Sequence, residues 1–157
     1  MYVCRGVLKA TQYLPLLPIP NRQTQLQMKH QIATTPEQSK RLLACGLNYK
    51  TADMTLSFCN DSFYELMATP FHYGCFNEKD APAWSLSTLL ELIPQDLMWQ
   101  GLYYRFVMGP TENRWEIEYN DLSVINNLHR VIADTPIEAC VQMIEWLTAN
   151  GYTLNTK

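Results

Sequence analysis

The sequence lacks long apolar runs and lacks the short motifs that mark common cofactor sites. Its apolar stretches are broken by Pro, Arg or Lys, whereas a membrane-spanning helix needs roughly 20 consecutive apolar residues. No G-x-G-x-x-G, P-loop or H-E-x-x-H pattern occurs, which removes the commonest nucleotide-binding and metalloprotease classes. Arg5 and Lys9 interrupt the apolar core that an export signal needs. We therefore expect a cytoplasmic protein that uses no cofactor and contacts no membrane.

Acidic side chains are absent before Glu37, and the four charged residues of that segment are all basic. From residue 28 onward the balance reverses, with nine basic and fifteen acidic side chains and a formal net charge of −6. An acidic body offers few of the phosphate contacts that carry nonspecific nucleic-acid binding. A nucleic acid is therefore not an expected partner, unless the basic N-terminal segment binds it.

The cysteines are too irregularly spaced for a disulfide scaffold. There are five of them, an odd number: Cys4, Cys45, Cys59, Cys75 and Cys140. This pattern predicts reduced thiols, most of them buried as small apolar side chains.

Length and composition predict one folded domain preceded by a tail. A chain of 157 residues with 47% hydrophobic and 17% charged residues is long enough for a single hydrophobic core. The first 27 residues include a Leu-Pro-Leu-Leu-Pro-Ile-Pro stretch that favours extended chain. We expect residues 1–27 to form a poorly ordered tail, with Met28 as a possible native start, and residues 28–157 to form the domain.

Three helices are predicted from capping residues and apolar spacing. Thr35-Pro36-Glu37-Gln38 opens the first, and Gly46 ends it. Ser85 caps the second, whose leucines recur at helical spacing up to a stop at Pro94. The third begins at Thr135-Pro136-Ile137-Glu138, which repeats the first capping design, and ends at Asn150-Gly151.

Strands are predicted where apolar and polar residues alternate. Met54 to Cys59 has this pattern, and residues 60–83 hold either a short strand near Phe63 to Met67 or a working loop. Residues 102–108 and 114–119 form a hairpin, since Gly-Pro-Thr-Glu-Asn between them is typical of a turn. Leu122 to Ala133 is a candidate further strand.

The hairpin register follows from matching side chains across the two strands. Pairing Met108 with Trp115 places Phe106 opposite Ile117 on an apolar face, and Arg105 opposite Glu118 on a polar face. The expected fold is therefore α+β: a small antiparallel sheet, built on the hairpin 102–108/114–119 and one or two further strands, covered by two or three helices.

Several of these pieces resemble a known family. They are the first helix from Thr35 to Leu43, the Trp84-Ser85-Leu86 start of the second helix, and the Trp146-Leu147 to Tyr152 end of the third. As a set they are similar to short uncharacterised bacterial proteins of prophage-like and other mobile elements. The resemblance implies a bacterial origin of that kind, and it carries no activity, ligand or catalytic residue.

A small metal site or a thiol-dependent enzyme is one alternative function. His72 and Cys75 have H-x-x-C spacing, and Cys45 and Cys59 lie upstream as further candidate zinc ligands. His72 lies three residues from Cys75 in the sequence and is a candidate base for its thiol. Ordinary packing is the preferred interpretation, because only one close pair is present and no third group marks a catalytic site. Glu116 and Glu118 are likewise better explained as a solvated strand face than as paired catalytic carboxylates.

Aromatic side chains favour a different function, since Trp and Tyr anchor protein interfaces when they are exposed. Trp99 follows a helix stop, Tyr103 lies on the polar side of the hairpin, and Trp146 lies outside the apolar arc of the third helix. These three are the candidate interface residues. We predict a non-enzymatic accessory protein that binds another protein of unknown identity, with homo-oligomerisation left open.

Overall fold

The computed structural model describes residues 31–59, 63–71, 78–121 and 126–155. It contains three α-helices and seven strands in this part of the chain. In chain order they are α1 (Pro36–Ala44), β1 (Met54–Cys59), β2 (Phe63–Met67), β3 (Ala81–Ala83), α2 (Leu86–Leu92), β4 (Asp96–Trp99), β5 (Leu102–Thr111), β6 (Arg114–Asp121), β7 (Asn126–Ala133) and α3 (Pro136–Ala149). The fold is α+β, as predicted.

Capping side chains begin the helices where the sequence predicts. The Thr35 hydroxyl accepts from the Gln38 amide at 3.3 Å, and the Gln38 side chain accepts from the Thr35 amide at 2.9 Å. Ser85 and Thr135 cap α2 and α3 in the same way through their hydroxyls. Gly46 follows the end of α1 with a φ of 93°, a left-handed conformation that glycine adopts without strain.

The larger sheet has four antiparallel strands in the order β4-β5-β6-β7. Its inner face packs against α3, whose apolar side extends over most of the helix circumference. The buried residues of α3 are Ile137, Ala139, Cys140, Val141, Met143, Ile144 and Leu147. Ile117 and Tyr119 of β6 are fully buried beneath them. Burial of this face supplies most of the hydrophobic stabilisation of the fold.

The register of the central hairpin differs from the prediction by two residues. Met108 pairs with Ile117 and Phe106 with Tyr119, so each residue keeps its predicted face but changes its partner. The strands continue through the residues expected to form the turn, which leaves only Glu112 and Asn113 between them. Pro110 is tolerated inside β5 because β4 pairs only with Leu102 to Arg105, so the strand has no ladder partner on that side at Pro110.

The predicted pairing of Arg105 with Glu118 is wrong for the same reason. Arg105 lies opposite Asn120, and its guanidinium contacts Asp96 of β4 at 3.1 Å. Glu118 instead accepts from the side chains of Asn120 and Asn127. The outer face of the sheet is nevertheless polar along β6, as the alternation predicts.

The smaller sheet has three antiparallel strands in the order β2-β1-β3. The short strand predicted as one alternative for residues 63–67 is present as β2, and all five of its residues are exposed. Its buried apolar cluster is small among the described residues and consists of Ala33, Leu56 and Ala83. Hydrogen bonds join the segments that flank β1 and β3: Ser85 donates its amide to Asp53 at 2.9 Å, and the Trp84 indole donates to Thr51 at 2.9 Å.

Several predictions fall on residues that the structure does not describe. They concern the tail of residues 1–27, His72 and Cys75, and the first four residues of the segment Leu122 to Ala133. Its remainder, Asn126–Ala133, forms β7. No helix among the described residues has the length and apolar character needed to cross a membrane.

Candidate protein-binding surface

The tip of the β4–β5 hairpin gathers exposed apolar side chains. Gln100 and Gly101 connect the strands, with φ values of 51° and 81°. Two consecutive residues of positive φ match the twist of a tight hairpin, and glycine suits the second position. This short turn places Met98 opposite Tyr103 and Trp99 opposite Leu102.

These four residues, together with Val107 further along β5, form what we call the hairpin patch. Tyr103 is 69% exposed, Met98 61% and Trp99 47%, while Leu102 and Val107 are also more than two-fifths exposed. Met98, Tyr103 and Val107 project from the outer face of the four-stranded sheet. Trp99 and Leu102 project from the other face, so the tip is apolar on both sides.

The charged groups beside the hairpin patch neutralise each other. Asp96 and Arg105 form an ion pair across β4 and β5, and both side chains are more than half exposed. On the outer face this ion pair lies between Tyr103 and Val107, and the Glu118 carboxylate lies opposite Val107, so the apolar tip is bordered by charged groups. Apolar centres with polar rims are typical of protein interfaces, and isolated apolar patches of several hundred Å² are uncommon on monomeric proteins.

Trp146, the third predicted interface residue, lies elsewhere and is half-buried. Its ring stacks on His129 with a centroid distance of 4.2 Å and an interplanar angle of 2°. Tyr152 and Tyr119 lie on neighbouring sides, at 5.3 and 6.4 Å between ring centroids. Desolvation in this aromatic cluster lowers the pKa of His129, which favours the neutral ring. Trp146 thus contributes to packing between α3, the four-stranded sheet and the C-terminal segment.

A polar network joins α1 to α3. The Arg41 guanidinium contacts Glu138 at 2.7 Å and Glu145 at 2.6 Å. Glu138 also accepts from the side-chain amides of Gln38 and Gln142. It was predicted to bond its own helix cap as Gln38 does, but its carboxylate is turned toward these donors instead.

An open cleft of about 430 Å³ lies beside this network, and Glu138, Gln38 and Gln142 line it. Desolvation raises the pKa of Glu138, but hydrogen bonds from Gln142, Arg41 and Gln38 outweigh it and lower the pKa overall. A carboxylate held ionised by several donors is poorly suited to proton transfer near neutral pH. The network is therefore better understood as a connection between the helices than as a catalytic site.

Two of the cysteines that the structure describes, Cys59 and Cys140, do not have the character of nucleophiles. Burial raises the pKa of Cys140 to about 12. Desolvation and then the nearby Glu65 carboxylate raise the pKa of Cys59. Raised pKa values keep the thiols protonated and unreactive.

The proposed zinc ligands are only partly placed by the structure. Cys45 follows α1 and donates to the Leu42 carbonyl, and Cys59 ends β1. In the described segments no three His, Cys, Asp or Glu side chains cluster as metal ligands do. Since His72 and Cys75 lie outside those segments, the zinc and thiol-enzyme alternatives stay predictions.

Sequence reasoning identified Trp99 and Tyr103 as candidate interface residues but missed Met98 and Leu102. Their grouping depends on β4, which was not predicted. A signal was available in Gln100-Gly101, a two-residue turn between runs of apolar and aromatic residues. Comparison of the chain with protein-family models, with curated proteins and with solved structures finds no match.

Proposed function

We propose that this protein is a non-enzymatic accessory protein of the cytoplasm that acts by binding another protein through its hairpin patch. The observation that carries the proposal is the clustering of Met98, Trp99, Leu102 and Tyr103 at one exposed tip. Trp and Tyr supply large contact areas at low entropic cost, and they are the residues most often found as interface anchors. A bacterial, mobile-element origin accompanies this proposal through the family resemblance.

The chemistry of the patch specifies the partner's surface. Asp96 and Arg105 neutralise each other beside the tip, so the surface that complements Met98, Trp99, Leu102 and Tyr103 is apolar. A pocket that accepts the Trp99 and Tyr103 rings, bordered by hydrogen-bonding groups, is the expected counterpart. A highly charged ligand such as a nucleic acid does not fit this surface.

Affinity purification from the native host with quantitative mass spectrometry tests the proposal. The Trp99→Ser, Tyr103→Ser double variant should lose the partner at least about tenfold, as loss of interface anchors does. Leu43→Ser is the matched control, since Leu43 is also an exposed apolar residue but lies on α1. Thermal melts confirm that both variants fold.

A photo-crosslinking residue at position 103 should capture the same protein that the double variant loses, and one at position 43 should not. Equal recovery of all partners by wild type and the double variant would contradict the proposal. Recovery of only a second copy of this chain would replace it with a homodimer.

A further inference from the structure

The outermost strand of the smaller sheet, β2, presents a backbone edge to solvent within the described residues. It pairs with β1 over five residues, from Cys59↔Phe63 to Thr55↔Met67. Among the described strands none pairs with its other side. Four of its five side chains are large and apolar, and Glu65 is the only charged one. Such an edge has unpaired amides and carbonyls spaced to pair with another extended chain.

The opposite side of the same sheet is closed. Pro82 of β3 has no amide to donate. Beyond the end of β3, the Phe58 amide of β1 donates to the Asp80 carboxylate at 2.8 Å. Ala33 forms an isolated antiparallel β-bridge with Ser85, two residues after the end of β3.

The outer edge of the larger sheet also has features that discourage pairing. At β7 the ladder is interrupted by a register shift next to Tyr119, and the strand carries the Arg130 cation. Irregularities and charges of this kind protect natural sheet edges from added strands. By comparison β2 has neither a bulge nor a proline, and its single charge, Glu65, is acidic.

We propose that β2 is a docking strand. An extended segment of another protein pairs with its backbone as a fourth strand of the smaller sheet, and a basic side chain of that segment lies beside Glu65. The backbone edge requires an extended partner, because only a strand satisfies alternating amides and carbonyls along its length. Apolar side chains of that segment pack beside Phe63 and Met67 on one face and beside Tyr64 and Leu66 on the other.

Charge on the Glu65 face favours a basic partner. The Glu65 carboxylate lies on the same face as the Cys59 side chain, whose thiol donates to it at 3.7 Å. The nearby cation, Lys79, lies over the Phe58 ring at 4.8 Å, on the opposite face from Glu65. A lysine or arginine of the docked strand therefore meets the Glu65 carboxylate where it lies beside that residue.

A second copy of β2 fits this edge poorly. The one antiparallel register that pairs all five residues of β2 with themselves places Glu65 opposite Glu65 of the other copy. Like charges directly opposite each other in a sheet are destabilising. A heterologous basic segment avoids this repulsion and gains an attractive pair instead.

Two synthetic nonapeptides of alternating valine and threonine, one with lysine at its centre and one with glutamate, test the inference. Fluorescence anisotropy with the full chain should give tighter binding of the lysine peptide by about fivefold or more, as expected for exchanging cross-strand repulsion for attraction. In Glu65→Lys the preference should reverse. N-methylation of alternate backbone amides in the lysine peptide should abolish binding.

The surface variants separate this inference from the proposed function. Trp99→Ser, Tyr103→Ser should bind the lysine peptide as wild type does, because the hairpin patch belongs to the other sheet. The docking strand is ruled out if neither peptide binds at millimolar concentration, or if Glu65→Lys leaves the preference unchanged. Sedimentation that shows a wild-type dimer dissociated by Glu65→Lys would assign the edge to self-association instead.

Discussion

The two sheets of this protein differ in how much apolar surface they bury. Among the described residues, the four-stranded sheet shares a core of 20 buried residues, chiefly with α3 and α2. In the same part of the chain, the three-stranded sheet has its own cluster of three. A small sheet without a well-covered face is marginally stable by itself, so the smaller sheet depends on its attachments to the larger one.

These attachments are both apolar and polar. Trp84, directly after β3, is fully buried in the larger core. Thr34 donates its amide to the Trp84 carbonyl at 2.9 Å, and Trp84 in turn reaches Thr51 through its indole. The larger sheet is therefore the structural body, and the smaller one keeps apolar strand surface exposed at β2. Regions of low local stability commonly provide binding surfaces, because ordering them on a partner restores the missing burial.

The largest expected effect compares truncations in the two cores. Ile117→Ala in the larger core should lower the free energy of unfolding by about 3 to 5 kcal/mol, because Ile117 is fully buried and its cavity cannot collapse. Leu56→Ala in the smaller cluster should cost about 2 kcal/mol or less, since solvent and neighbouring chain fill the space more easily. Urea melts measure both. Equal losses would show that the smaller sheet has a core of comparable importance.

A smaller effect is expected from breaking the connection between α1 and α3. Arg41→Met leaves Glu138 and Glu145 without their shared cation and should cost about 1 to 2 kcal/mol, discounted because these side chains are partly exposed. Lys40→Met is the matched control, since it removes the same charge from an exposed neighbouring position. It should change stability by less than about 0.5 kcal/mol.

The pH dependence sharpens this test. The pKa of Glu138 is lowered in the folded state. Its contribution to the free energy of unfolding is therefore present at neutral pH, and it is lost as the pH falls through this folded-state pKa. The difference between wild type and Arg41→Met should therefore shrink in acid, because protonated Glu138 no longer requires the cation. A difference that stays constant down to pH 3 would mean that Arg41 acts only through packing.

Local signals in the sequence predicted the helices, while pairing between strands was harder. Thr35 and Thr135 determine helix starts through bonds three residues away, so the relevant information is contained in a short segment. The hairpin register depends on how far two strands extend before turning. Gly109 and Pro110 favoured a turn there. Because β4 pairs only with Leu102 to Arg105, Pro110 can remain in β5.

The candidate surface was predicted in part, for a comparable reason. Trp99 and Tyr103 stand out as aromatic residues in places where burial was not expected, and both are exposed. Met98 joins them only through cross-strand pairing, which residue type alone does not reveal. Exposure of β2 depends on strand order, and apolar alternation gives no information about which strand lies at an edge.

A still smaller effect is expected from His129 in the larger core's aromatic cluster. Desolvation lowers its pKa when folded, so the unfolded chain binds the proton more readily. The contribution of neutral His129 to the free energy of unfolding is present above about pH 6.5, the ordinary pKa of histidine. It is lost as the pH falls through the folded-state pKa. Urea melts at pH 7.5 and 5.5 should show this loss in wild type, and His129→Phe should reduce it while keeping a ring against Trp146. An unchanged pH dependence in that variant would assign the loss to other groups.

The smallest expected effect concerns the ion pair between Asp96 and Arg105 beside the hairpin patch. Here the larger sheet exposes apolar strand residues, as the smaller sheet does at β2. Asp96 and Arg105 are both more than half exposed, so solvent screens their attraction and side-chain entropy opposes it. Asp96→Asn and Arg105→Gln should each change the free energy of unfolding by less than about 0.5 kcal/mol, measured in urea. If the hairpin patch binds a protein, the same changes should alter the salt dependence of association, because each leaves one uncompensated charge at the rim. A loss above about 1 kcal/mol in either variant would show that this pair helps to hold β4 on the sheet, and the tip would then owe its shape to charge rather than to the Gln100-Gly101 turn.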